Sequence, residues 1–116
     1  MSDNKLVDLS TEFAIKILKL TDTIKGHYSL SNQLERSGTS IGANIREAQY
    51  GYSRADFICK LQIALKECHE TDYWLELLVK TETVTQEIAK PIEALCSKIR
   101  FLLIKSINTA KQGGIK

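Results

Sequence analysis

The sequence predicts an all-α fold, an antiparallel up-down-up-down four-helix bundle, and three observations predict it. Apolar residues recur every three or four positions along almost the whole chain, the spacing of one helix face. Six Gly and one Pro in 116 residues are too few turn-formers for an all-β sandwich, which turns every ~8–12 residues. Short breaks near Gly26, Tyr50 to Ser53 and Glu82-Thr83 leave four segments of roughly twenty residues, each ~30 Å long as a helix. Helices of similar length joined by short connections pack as antiparallel neighbours.

In the first segment Leu6, Leu9, Phe13, Ile17, Leu20 and Ile24 form one stripe, with Lys16, Lys19 and Asp22 off it. Gly26 can take the left-handed conformation that ends a helix, which leaves His27 and Tyr28 in the connection. The second helix is expected to start near Ser29 or Ser31, both good N-caps. Its buried stripe is Leu30, Leu34, Ile41, Ile45 and Ala48. Gly38 and Gly42 lie inside it, each costing ~1 kcal/mol relative to Ala, so a neighbouring helix should approach closely there.

Ser53, followed three residues later by Asp56, resembles a capping box and opens the third helix. Phe57, Leu61, Ala64, Leu65, Cys68, Thr71, Leu75 and Leu78 share its buried face. The fourth helix carries Val84, Ile88, Ile92, Leu95, Ile99, Leu102 and Leu103. Pro91 falls within that pattern, where it either kinks the helix or splits off a short first turn. The end of the chain, about 111–116, contains a Gly pair and should fray. The whole of 1–116 reads as a single domain, without a repeat or a low-complexity linker.

Sixteen Lys and Arg against fourteen Asp and Glu give a net charge of +2, but the charge is unevenly placed. From Lys90 to Lys116 there are six basic residues and one acid, a net +5, so residues 1–89 carry −3. A basic C-terminal segment can attract nucleic acid. No apolar run reaches the ~18–20 residues of a membrane span. The first residues lack the basic region and apolar stretch of a signal peptide. Cys59, Cys68 and Cys96 are odd in number and form no C-x-x-C pair. They are expected to be reduced, buried thiols of a cytoplasmic protein.

Catalytic and cofactor patterns are missing. A di-iron bundle needs Glu-x-x-His on two helices, yet Lys66 stands three residues before His69, and His27 lies in a connection. The Cys and His residues have no paired zinc-ligand spacing. Cys68 and His69 are adjacent, so on a helix they point about 100° apart and make a poor nucleophile–base pair. Gly38 to Gly42 lacks the Lys and the preceding strand of a phosphate loop. No cofactor, metal or catalytic residue is expected, and the chain is expected not to be an enzyme.

A polar band remains on helices two and three. Arg36, Ser40, Asn44 and Glu47 form one line, and Lys60, Glu67, Glu70 and Trp74 a second, with Lys66 four residues before Glu70. These residues are expected to form a structural network between the two helices, with Asn44 and Glu47 mostly buried and bonded to helix three.

The stretch from Gln33 to Ala48, QLERSGTSIGANIREA, resembles the signature of a bacterial family of four-helix bundles. That family was first noticed as reading frames in intervening sequences of 23S ribosomal RNA genes, and it is sometimes labelled a ribosomal protein. The resemblance continues through Ser53 to Lys60 and Ala64 to Leu75, about half the chain. Arg36, Ser40, Asn44 and Glu47 fall on the helix-two signature; Lys60, Lys66, Glu67, Glu70 and Trp74 fall on the helix-three signature. Many relatives carry Glu-Gly where this chain has Glu47-Ala48, which marks a subgroup.

The resemblance implies a ring-shaped homopentamer with a basic central channel and a role in binding RNA or DNA. A related bundle is the accessory partner of a reverse transcriptase in diversity-generating retroelements. The expected function is therefore a non-enzymatic, oligomeric bundle that binds structured RNA or DNA through basic residues. The candidates are Arg36, Arg46, Arg54, Lys60, Lys98, Arg100 and Lys105. Lys98 and Lys105 are seven apart and share a face, whereas Arg100 points elsewhere. The aromatic residues show no clustering in a basic stripe, so single-strand readers are not expected. The alternative is a protein-interaction scaffold or an accessory subunit for a nucleic-acid enzyme, with Trp74 and the polar network forming a subunit contact.

Overall fold

The structure is a computed structural model and describes residues 2–113, with side chains described from Lys5 onward. Four helices follow one another: α1 (Ser2–Thr23), α2 (Tyr28–Ala48), α3 (Arg54–Lys80) and α4 (Gln86–Lys111). Each packs on its two neighbours, α1 and α3 both lying between α2 and α4, in a rod of 48 × 21 × 19 Å. Among the described residues there is no strand, and no helix is long and apolar enough to cross a membrane.

The apolar stripes meet along the axis of the rod. Phe13, Ile17, Leu34, Ile41, Ile45, Leu61, Leu75, Leu78, Ile99 and Leu103 are fully buried, each contributing about 1.5–3 kcal/mol. At the two glycines of α2, α1 approaches closely. A Cβ on Gly38 would stand 3.0 Å from both Cγ atoms of Ile17, and one on Gly42 would stand 3.3 Å from Ser10 Oγ. Their missing side chains set the separation of α1 and α2.

The connections differ from expectation at α2. Gly26 (φ 80°) and His27 (φ 49°) are both left-handed, so the chain reverses within two residues and α2 begins at Tyr28. Neither Ser29 nor Ser31 is the cap; Ser31 lies buried inside the first turn, donating its N–H to the His27 carbonyl at 2.9 Å. The α3 start is as expected: Ser53 Oγ accepts from the Asp56 N–H at 3.1 Å. Thr85 caps α4 the same way, accepting from the Ile88 N–H at 3.2 Å. α4 runs unbroken through Pro91, so no separate first turn is split off. It continues to Lys111; the rest of the expected frayed end, 114–116, lies outside the described residues.

Two expectations of buried apolar or thiol side chains fail. Ile88 is 51% exposed although it lies on the apolar pattern of α4. It sits in the first turn, beside a cleft of about 330 Å³ lined by Lys16, Lys19, Leu20, Thr23, Ile88, Pro91 and Ile92. The core is completed there by Ala89 instead. Cys59 is exposed, because it falls off the Leu61–Ala64–Cys68 stripe; Cys68 and Cys96 are buried, and all three are free thiols. Cys96 Sγ donates to the Cys68 carbonyl at 3.7 Å. Hydrogen bonding with Cys68, together with burial, pushes the Cys96 thiol up, which keeps it protonated and unreactive.

Candidate functional site

The seam between α2 and α3 is fixed by one buried pair of hydroxyls. Thr71 Oγ1 donates to Ser37 Oγ at 2.9 Å, and Ser37 Oγ lies 3.3 Å from the Leu34 carbonyl, its own acceptor. On the outer edge of the seam Arg36 bonds Glu70 at 3.1 Å and lies 3.9 Å from Glu67. Lys60 pairs with Glu47 at 3.0 Å, and the Glu47 hydrogen bond raises the Lys60 pKa above its ordinary value.

Only part of the expected network therefore spans the two helices. Asn44 is half-buried, but its Nδ2 donates to the Ser40 carbonyl at 2.9 Å, and Ser40 Oγ donates to the Arg36 carbonyl at 2.7 Å. Short polar side chains on a helix reach their own i−4 carbonyl more readily than a neighbouring helix. Both residues thus bond along α2 and not to α3. Glu47 does reach α3, from an exposed position and not a buried one. Lys66 is exposed and forms no ion pair with Glu70 among the described residues.

Two polar atoms of this face are buried without a partner among the described residues: Glu67 Oε1 and Trp74 Nε1. Burial, with Glu70 adding to it, pushes the Glu67 carboxyl up against the opposing pull of Arg36 and Lys66. A raised carboxyl binds its proton more tightly folded than unfolded. Its ionisation then costs stability, and that cost is absent below the unfolded pKa and complete above the folded one. Glu67→Gln is therefore expected to be more stable than wild type near pH 7, with the advantage vanishing in acid. Denaturant unfolding at the two pH values checks this, and a loss of stability for Glu67→Gln near neutrality would show that the carboxylate is stabilising as an anion.

The cations sort by whether an acid holds them. Arg36, Lys60 and Lys80 are ion-paired, and Arg100, half-buried, is paired with Asp72 of α3 and also donates to Ser97 Oγ at 3.1 Å. These charges are already balanced within the bundle. Arg46 donates to Thr11 Oγ1 at 3.1 Å across the α1–α2 seam. Arg54, in the first turn of α3, lies against the C-terminal end of α4 at Gly113. The seven basic candidates are thus scattered around the rod and do not converge on one face.

Lys98 and Lys105 stand apart from the rest. Both are exposed on the outward face of α4, and neither has an acid partner among the described residues. Lys90 lies on the same side, two turns before Lys98. Phe101 is 65% exposed between Lys98 and Lys105, with Ile104 exposed beside it. The nearest acid on the helix, Glu93, accepts from Gln86 Nε2 at 3.0 Å, and no Asp or Glu follows it in the chain. A single aromatic, Phe101, lies within the basic strip, without the clustering of aromatics that the sequence also lacks. Phe101 lies between Ile99 and Leu103, both buried, so helical spacing alone places it off the core stripe. That signal was available, and so was Lys90.

Among the described residues no group of three or more His, Cys, Asp and Glu is placed to hold a metal ion. A four-helix bundle with a buried hydroxyl seam, an ion-paired outer seam and a basic outward face on α4 that carries no acid beyond Glu93 defines a helical-bundle protein of small size. The chain belongs to the 23S rRNA-intervening sequence protein family, whose model matches residues 2–105. It is similar to a Bacteroides thetaiotaomicron protein of unknown function from the S23 ribosomal protein family, known from a crystal structure. The two share 51% identity over 94% of this chain and 100% of that one, with a TM-score of 0.89. No curated protein matches the chain.

Proposed function

We propose that this protein is a non-enzymatic, oligomeric bundle that binds RNA or DNA through the outward face of α4. The observation that carries the proposal is the strip of Lys90, Lys98 and Lys105, exposed and without acid partners among the described residues, on a helix with no acid after Glu93. Lysines set about 10–12 Å apart along one helix face match a phosphate backbone better than they match one small ligand. Binding of this kind works by neutralising phosphates and releasing counterions, so it is salt-sensitive and weakly sequence-specific. Arg36, Lys60 and Arg100 serve the fold, since each already has a carboxylate. A fluorescently labelled RNA hairpin titrated with the protein at low salt tests the proposal: saturable binding is expected, and its absence refutes it.

Self-association is assigned to the α2–α3 face. Glu67 Oε1 and Trp74 Nε1 lack partners there among the described residues, and Tyr73 and Ile63 are exposed beside them. A second copy on this face buries the apolar groups and offers new partners to the seam. Sedimentation equilibrium is expected to give a mass several times 13.1 kDa, and a monomer at micromolar concentration contradicts the assignment.

A further inference from the structure

We infer that Phe101 is a base-stacking residue, so that the face proposed above to bind nucleic acid takes unpaired nucleotides in preference to duplex; this rests on that proposal. Phe101 is the one phenylalanine exposed among the described residues, at 65%. Phe13 is fully buried and Phe57 half-buried against the core, so Phe101 is outside the packing that uses the other two. It stands three residues after Lys98 and four before Lys105, one helical turn from each. Ile104, also exposed, extends the apolar surface by another turn. The arrangement is an aromatic ring with an ammonium group on either side along one axis.

The chemistry that fits it has a flat π face with an anion on each side. A nucleotide in a single strand has that form: its base can stack on the ring while the flanking phosphates reach Lys98 and Lys105. Such stacking is tolerant of base identity, because every base has a π face. A duplex does not offer it. Its bases are stacked on one another, and an apolar side chain enters only by kinking the helix. The lysines alone bind duplex and single strand alike, so Phe101 is the residue that separates them.

Other occupants fit less well. Two copies of this face meeting symmetrically would set Lys98 and Lys105 against the same lysines. An acidic protein surface would satisfy the lysines and also cover Phe101, and the test below distinguishes it.

The experiment compares wild type, Phe101→Ala and Phe101→Tyr with two probes, an oligouridine and a blunt RNA duplex of equal length, at one fixed salt concentration. Sedimentation of each variant is measured alongside. Phe101→Ala is expected to lose about fivefold or more in affinity for the oligouridine, the worth of one stacked base. Its duplex affinity, sedimented mass and helical circular dichroism should be those of wild type, and Phe101→Tyr should keep the oligouridine affinity. Equal losses on both probes, or no loss on either, overturn the stacking role while leaving the lysine face intact. A change in sedimented mass makes Phe101 a subunit or protein contact and overturns it too. Failure of wild type to bind either probe removes the nucleic-acid proposal itself.

Discussion

Gly38→Val is expected to destabilise the bundle by about 2–3 kcal/mol, lowering the melting temperature by roughly 10 °C. The first added carbon would already stand 3.0 Å from both Cγ1 and Cγ2 of Ile17. Ile17 cannot yield easily: it is fully buried, and a β-branched side chain in a helix has essentially one χ1 rotamer. The two further methyl groups of valine have no space unless α1 and α2 separate. Separation would also strain the neighbouring Ser37–Thr71 hydrogen bond, because Ser37 moves with α2. Gly42→Val should cost less, since its first contact is Ser10 Oγ at 3.3 Å. Thermal melts of both variants check the order, and a wild-type melting temperature for Gly38→Val would mean that the two helices do not meet there.

The second large effect concerns binding. Lys98→Ala/Lys105→Ala is expected to weaken RNA binding about tenfold or more near physiological salt, because two charge-assisted phosphate interactions per subunit disappear. The weakening should be similar for every sequence tested, because phosphates carry no sequence information. Stability should hardly change, since both lysines are exposed and neither is ion-paired among the described residues. The contrast is Asp72→Ala, which leaves half-buried Arg100 without its carboxylate and so acts on stability and not on binding.

The four helices were legible because their stripes are clean. Leu6, Phe13, Ile17, Ile41, Ile45, Leu61, Leu75 and Ile99 fall on the predicted faces and are buried. The Gly38 and Gly42 approach was legible too, because a helix tolerates two glycines on one face only where packing repays them. The start of α2 was not: His27 is left-handed with no side-chain cap, so local capping chemistry pointed to the serines instead. Ile88 was misplaced because periodicity fixes a direction around a helix, whereas burial also depends on whether a neighbour covers that turn; Cys59 was misplaced because residue type was weighed above its position off the stripe.

The site was less legible than the fold. The sequence showed Arg36, Lys60, Glu47, Glu67 and Glu70 as two polar lines, but not which charges would pair across them. It gave Asn44 a partner on α3, where the shorter path to the Ser40 carbonyl wins. Helical spacing already turned Arg100 away from Lys98 and Lys105, but only packing shows that Asp72 neutralises it. Phe101 is placed off the core stripe by its helical spacing between Ile99 and Leu103, but its exposure beside two lysines unpaired among the described residues depends on which face of α4 the other helices leave uncovered.

The most direct test of the central claim is the affinity of wild type and of Lys98→Ala/Lys105→Ala for a labelled RNA hairpin, followed by fluorescence anisotropy over a salt series. Wild type is expected to bind at low salt, with an affinity that falls linearly in the logarithm of salt concentration. The variant should bind more weakly, with a slope shallower by about one unit for each phosphate that is no longer neutralised. Absence of wild-type binding at low salt, or a variant with unchanged affinity and slope, would contradict the assignment of nucleic-acid binding to the outward face of α4.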